Sequence, residues 1–210
     1  MSWTLDALAG SVIDVMRGVL VHQRHRWPAL EGHQRQYENW WKGEFALALE
    51  SWSWTEDLPA EVCVIEEAKP RDYGITGMLS AQAMDLLVAP WRDEAIVKDK
   101  GPRVWIEIKT RAWWWGPASK AFGSVNGGLA HDLTKWSELQ WGSDDIGIAA
   151  QLVINEGAKG EFFPPGWEKA LDAFAKDSPR WDRKRATMSF PLGDARFRYA
   201  TLEFFCLTGR

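Results

Sequence analysis

Apolar residues recur at helical spacing from the start of the chain. Leu5, Leu8, Val12, Val15 and Val19 fall three or four positions apart and predict an amphipathic helix over the first 20 residues. The pattern dissolves in the polar stretch 22–26 and is broken by Pro28. A second helix is predicted over about 34–52, with Tyr37, Trp40, Trp41, Leu47 and Ala48 as its inward stripe and Glu44 on that stripe. Beyond Pro59 the period changes. Residues 61–65, 84–89 and 103–109 are short β-branched or aliphatic runs bounded by Gly, Pro and charged residues, which predicts three consecutive strands. Gly74 and Gly77 mark the connection 69–80 as irregular, a candidate cover for whatever those strands present.

Helical spacing returns at Leu129, Leu133, Trp136 and Gln140, after the Gly127-Gly128 pair, and 146–154 reads as a buried strand. Pro164-Pro165-Gly166 opens a helix through Trp167, Leu171 and Phe174, and 186–190 and 197–207 are strand-like. No internal repeat, low-complexity tract or linker interrupts this order. The expectation is a single α/β domain spanning 1–210, with a central mixed β-sheet flanked by helices.

Composition narrows the function classes. With 46% hydrophobic and 26% charged residues the chain can bury one substantial core. A net charge of -4 exerts no global pull on a polyanion, so any nucleic-acid contact must come from a local basic surface. Cys63 and Cys206 each sit inside an apolar run, which suits buried thiols of a reducing compartment and a cytoplasmic location. No stretch approaches the roughly 18 to 20 apolar residues of a membrane span, so no membrane partner is expected. The 15 tryptophans must help fill a core or cover an interface. No phosphate-binding Gly-rich loop, dinucleotide fingerprint or Gly-x-Ser-x-Gly elbow is present.

The strands themselves carry the candidate chemistry. Alternation puts Val104, Ile106 and Ile108 on one face of the third run and Trp105, Glu107 and Lys109 on the other, so one face is core and the other presents a carboxylate beside an amine. In the second run Met84, Leu86 and Val88 share a face, which leaves Asp85 opposite them and able to meet Glu107 if the two strands pair. Two such carboxylates suit a hard divalent ion, magnesium or its substitute manganese, which needs only one or two protein carboxylates beside water and phosphate oxygens. An unpaired Asp85 in an otherwise apolar strand would be costly unless exposed, hydrogen-bonded or bound to a cation.

These two runs, Ala83-Met84-Asp85-Leu86-Leu87-Val88 and Val104-Trp105-Ile106-Glu107-Ile108-Lys109-Thr110, resemble the halves of the PD-(D/E)XK nuclease signature, with Met84 standing where the name-giving proline would be. The order helix, three strands, helix, strand over about 34–154 is similar as well, and implies a restriction-endonuclease-like αβββαβ core. The resemblance implies a metal-dependent phosphodiester hydrolase, acting on DNA, with Asp85, Glu107 and the Ile108 carbonyl as metal ligands and Lys109 at the attacking water. It further implies a glutamate from the preceding helix, where Glu44 stands, and polar groups from the following helix, where Asp132 and Lys135 stand. Restriction, repair, recombination and phage or mobile-element defence all fit such a module.

Other readings stay open beside it. Glu107 and Lys109 could be alternating charges of a solvated strand, Glu44 a surface residue, and Asp132 with Lys135 a helical ion pair. Trp113, Trp114 and Trp115 could stack on bases or fill core, and Arg180, Arg183, Lys184 and Arg185 could track a phosphate backbone or be a solvated face. His22, His25 and His33 lack supporting cysteines and read as surface residues rather than zinc ligands. A catalytically inactive module that binds a protein or nucleic-acid partner, and an RNA-directed nuclease, are the alternative functions. A homodimer is an open expectation, since cutting two strands takes two sites.

Overall fold

Helix α1, Leu5–His22, begins where the extended Thr4 accepts the Ala7 amide on its hydroxyl at 3.2 Å, and Asp6 in the first turn complements the positive helix end. It closes at Gln23, whose amide bonds the Val19 carbonyl. Its buried face, which includes Leu8, Val12, Met16 and Leu20, packs against helix α2, Tyr37–Trp52. Each of these side chains contributes roughly 1.5–3 kcal/mol by leaving water.

The inward stripe of α2 differs from the expected one. Trp41, Phe45 and Leu49, four residues apart, are fully buried, whereas Leu47 is 62% exposed and Trp40 and Ala48 are partly covered. Leu47 lies roughly 200° around the helix from Phe45, so a stripe through Trp41 and Phe45 turns it to solvent. The structure, a computed structural model, describes residues 4–23, 26, 37–52, 62–77, 79–90, 101–112, 129–177, 181–193 and 195–207. The expected helix residues 34–36 and the Tyr37 side chain lie outside those described.

The α/β class is as expected. The strands β1 (Val62–Ala68), β2 (Met84–Pro90), β3 (Arg103–Ala112), β4 (Asp145–Ala158), β5 (Trp181–Pro191) and β6 (Arg196–Leu207) form a six-stranded mixed sheet in the order β1-β2-β3-β4-β6-β5. Four described helices flank it: α1, α2, α3 (Leu129–Ser137) and α4 (Trp167–Asp177). Pairing is antiparallel between β1 and β2, β2 and β3, and β5 and β6. Among the described residues no helix is long and apolar enough to cross a membrane.

The chain divides into two compact units. The first comprises Met1–Glu107 and Glu138–Ile148, the second Ile108–Ser137 and Ala149–Gly209. In the first unit the connection after β1 forms a short 3-10 turn, Pro70–Tyr73, and Thr76 then bridges to Gln140. Gly77, at a positive φ, is required there: a Cβ would come within 3.0 Å of the Glu138 carbonyl oxygen. This connection is therefore anchored at Gln140 and, through Tyr73, at Arg103 and Trp105.

The first unit also holds a buried polar lock. Arg103 grips Asp145 through two bonds, Nε to Oδ1 at 2.7 Å and Nη2 to Oδ2 at 2.8 Å, and the Trp105 indole donates to Oδ1 at 2.8 Å. Trp105 is fully buried, as are Val104 and Ile106. The expectation that one face of this strand is core while the other presents a carboxylate beside an amine is refined: Trp105, on the face of Glu107 and Lys109, is buried too, and Glu107 is partly buried.

The second unit is organised around Leu129, Leu133, Ala149, Val153, Trp167, Leu171 and Phe205. Pro164-Pro165-Gly166 introduces α4 as read from the sequence, with the Trp167 amide bonding the Pro164 carbonyl. Glu203 on β6 is fully buried and accepts the Trp167 indole at 2.9 Å, together with Arg183 and Arg185 from β5. Burial pushes the Glu203 carboxyl up, against the pull of Trp167 and Arg183. The two thiols are buried, each within its own unit, and burial pushes that of Cys206 up to about 11.

Candidate active site

The β2–β3 ladder ends beside the two strand acids, Asp85 and Glu107. Leu86 pairs with Ile106, Leu87 with Trp105 and Val88 with Val104, and Asp85 and Glu107 each stand one residue beyond the Leu86–Ile106 pair. Opposed residues of an antiparallel pair point to the same side of the sheet, with Cβ atoms about 4.5–5.5 Å apart. The apolar neighbours Met84, Leu86, Val104 and Ile106 are buried, as are Leu87 and Trp105 on the opposite face.

A third acid falls in the same row. On the β1 side Glu66 pairs with Leu86 and Ala68 with Met84, which leaves Glu67 across from Asp85. Glu67 takes a left-handed backbone, φ 53, unusual for a residue with a side chain and a sign of local distortion in the strand. The strand pattern in the sequence spans 61–65, whereas β1 runs to Ala68, so Glu67 falls beyond the predicted strand.

Helix α2 supplies the row's cation. Lys42 Nζ lies 2.8 Å from Asp85 Oδ1 and also pairs with Glu67 Oε1; the side chains of Lys42 and Asp85 are only 13% and 14% exposed. Burial works against the ammonium, but the bonds and charges of Asp85 and Glu67 outweigh it, and the Lys42 pKa rises above the ordinary lysine value. Lys42 carries no motif in the sequence, and it stands two residues from Glu44. The usable signal was its spacing from the buried Ala46 and Leu49, which marks a sheet-ward edge of α2.

Glu44 is placed elsewhere. It accepts Gln23 Nε2 at 2.5 Å and Arg26 Nη1 at 2.8 Å, tying α2 to the end of α1. Being two residues from Lys42, it lies roughly 200° around the helix from the side chain that reaches Asp85. The expected acidic contribution of α2 to the site is thus replaced by a basic one.

Within the second unit, Lys109 Nζ stands 3.7 Å from Asp132 Oδ2, and Lys135 Nζ stands 3.6 Å from Asp132 Oδ1. Asp132 is buried and its Oδ2 lacks a hydrogen-bond donor, so it is more than half of a solvated helical ion pair. The Lys109 carbonyl accepts Gln151 Nε2 at 3.2 Å, and the Ile108 side chain is fully buried. Lys109 follows Glu107 by two residues on β3.

The other candidates divide. Arg183 and Arg185 are engaged by Glu203 and by Glu168, and Arg185 also lies 4.2 Å from the Phe163 ring centroid, so a structural task accounts for both; Lys184 between them is exposed. Trp113, Trp114, Trp115, Arg180, His25 and His33 lie outside the described residues, and His22 is exposed.

Among the described residues no three His, Cys, Asp or Glu side chains converge as a metal cage. A hard divalent ion takes as few as two protein carboxylates and fills its remaining positions with water and phosphate oxygens. The ammonium of Lys42 against Asp85 shows that this carboxylate accepts a cation at contact distance. No family model, no curated protein and no solved structure matches the chain.

Proposed function

We propose that the chain is a metal-dependent nuclease of the PD-(D/E)XK kind, hydrolysing phosphodiester bonds in DNA with magnesium, or manganese in its place. The single observation that supports this reading is the antiparallel β2–β3 pairing, whose Leu86–Ile106 pair borders Asp85 on one strand and Glu107 on the other. The succession of α2, three antiparallel-paired strands, α3 and β4 supports it.

In this reading Asp85 and Glu107 hold the ion, with the Ile108 carbonyl as a further donor. The chemistry such an ion supplies is stabilisation of charge on the phosphoryl oxygens and acidification of a bound water. Lys109, whose amine is held near Asp132, orients the attacking water or steadies the charge that builds on the phosphate. Asp132 and Lys135 are positioning residues acting through Lys109. Glu44 has no part in it, because its carboxylate serves Gln23 and Arg26.

The test is cleavage of plasmid, linear duplex, single-stranded DNA and RNA in magnesium or manganese, beside Asp85→Ala. The expected outcome is DNA cleavage that falls about 10²- to 10³-fold in the variant. Equal cleavage by the variant removes the site. Cleavage confined to RNA changes the substrate, and cleavage of nothing leaves a partner-binding module.

A further inference from the structure

The Asp85 carboxylate carries a cation of the protein's own, and this bears on how the proposed metal arrives. We propose that Lys42 is a tethered counter-cation of the Asp85 site: a divalent ion must displace its ammonium from Asp85, and Glu67 is the second seat that keeps the ammonium at the site. The inference rests on the reading of Asp85 as a metal ligand.

Three observations carry it. Lys42 Nζ is 2.8 Å from the very carboxylate assigned to the metal, in a place where both side chains are largely withdrawn from water. Two cations sharing one carboxylate repel each other strongly where solvent screening is poor, so ammonium and metal are alternatives at Asp85 rather than companions. Lysine suits exchange in a way arginine does not, being a single point charge on a flexible four-carbon stem instead of a planar fork.

Glu67 supplies the alternative position. It faces Asp85 across β1–β2, already pairs with Lys42, and its carboxylate is 62% exposed, so it can retain the ammonium after Asp85 lets go. Its left-handed backbone keeps the residue out of the regular strand path at the position opposite Asp85. An ammonium moved there still borders the site, where an incoming phosphate group is the natural next partner for it. Metal affinity in the absence of substrate is thereby held down, and rises when a phosphate draws the ammonium away.

The experiment is Mn2+ binding to the full chain without nucleic acid, followed by the EPR signal of free Mn2+. It compares the unaltered protein, Lys42→Met and Asp85→Asn, with circular dichroism confirming the fold of each. Lys42→Met is expected to bind Mn2+ about tenfold more tightly, and Asp85→Asn to lose the site. A purely structural Lys42 would leave affinity unchanged or lower. Unchanged or weaker binding in Lys42→Met, with binding still abolished by Asp85→Asn, overturns the counter-cation and leaves the metal site standing. Binding that survives Asp85→Asn overturns the metal assignment, and absence of binding in both the unaltered protein and Lys42→Met overturns both. Should Lys42→Met fail to fold, Lys42→Gln removes the same charge and is held to the same outcomes.

Discussion

Asp145 and Asp85 are two carboxylates of the same unit, and they are held in opposite ways. Asp145 is buried and gripped by the two-pronged guanidinium of Arg103 and the rigid indole of Trp105, every donor fixed by packing. Asp85 is paired with an ammonium on a long stem, and that ammonium is shared with a second, exposed acid, Glu67. The first arrangement has one geometry and nothing to exchange. The second has a partner on a flexible stem that is already shared with Glu67. Glu203, in the other unit, repeats the first pattern with two arginines and Trp167.

This contrast can be broken most directly by charge removal. Asp145→Asn is expected to lower stability by about 3–5 kcal/mol, because Arg103 is left buried with its charge uncompensated. Asp85→Asn should cost no more than about 1 kcal/mol, since Lys42 retains Glu67. Urea unfolding measures both, and equal losses would erase the distinction between a fixed and an exchangeable carboxylate. Replacing Arg183 and Arg185 together by Ala is expected to cost about 3 kcal/mol by stranding Glu203. That double variant should bind duplex DNA as the unaltered protein does once both are folded; a drop in affinity with stability preserved would return these arginines to a phosphate-contacting surface. The smallest change, Trp105→Phe, removes one hydrogen bond to Asp145 while keeping an aromatic ring. It should cost about 1 kcal/mol, read from the shift in unfolding midpoint, and a negligible cost would show that Arg103 alone secures Asp145.

Much of the framework was legible in the sequence because period and punctuation are local signals. Leu5 to Val19 gave α1, the apolar runs flanking Asp85 and Glu107 gave β2 and β3, and Pro164-Pro165-Gly166 placed the start of α4. What escaped was whatever depends on partners distant in sequence. Leu47 looked inward by type, but the face of α2 is chosen by α1 and the sheet, and Trp41, Phe45 and Leu49 fill it. Trp105 looked like a member of an open face, and only Asp145, 40 positions on, reveals why it is interior. Lys42 and Glu67 carry no motif; their relevance arises where a helix and two strands converge on Asp85. Arg183 and Arg185 looked like a basic run until Glu203 and Glu168 were seen to consume them.

The Arg103–Asp145–Trp105 lock stands two residues from Glu107 on the same strand. Sliding β3 by a single step would turn Glu107 into the apolar layer and swing Ile106 out in its place, and every such slip would first have to tear the indole and guanidinium from Asp145. The lock therefore acts as a pawl on the strand. The position of β3 is thereby held from Arg103, Trp105 and Asp145, so substitutions at Asp85 and Glu107 themselves need not shift the strand.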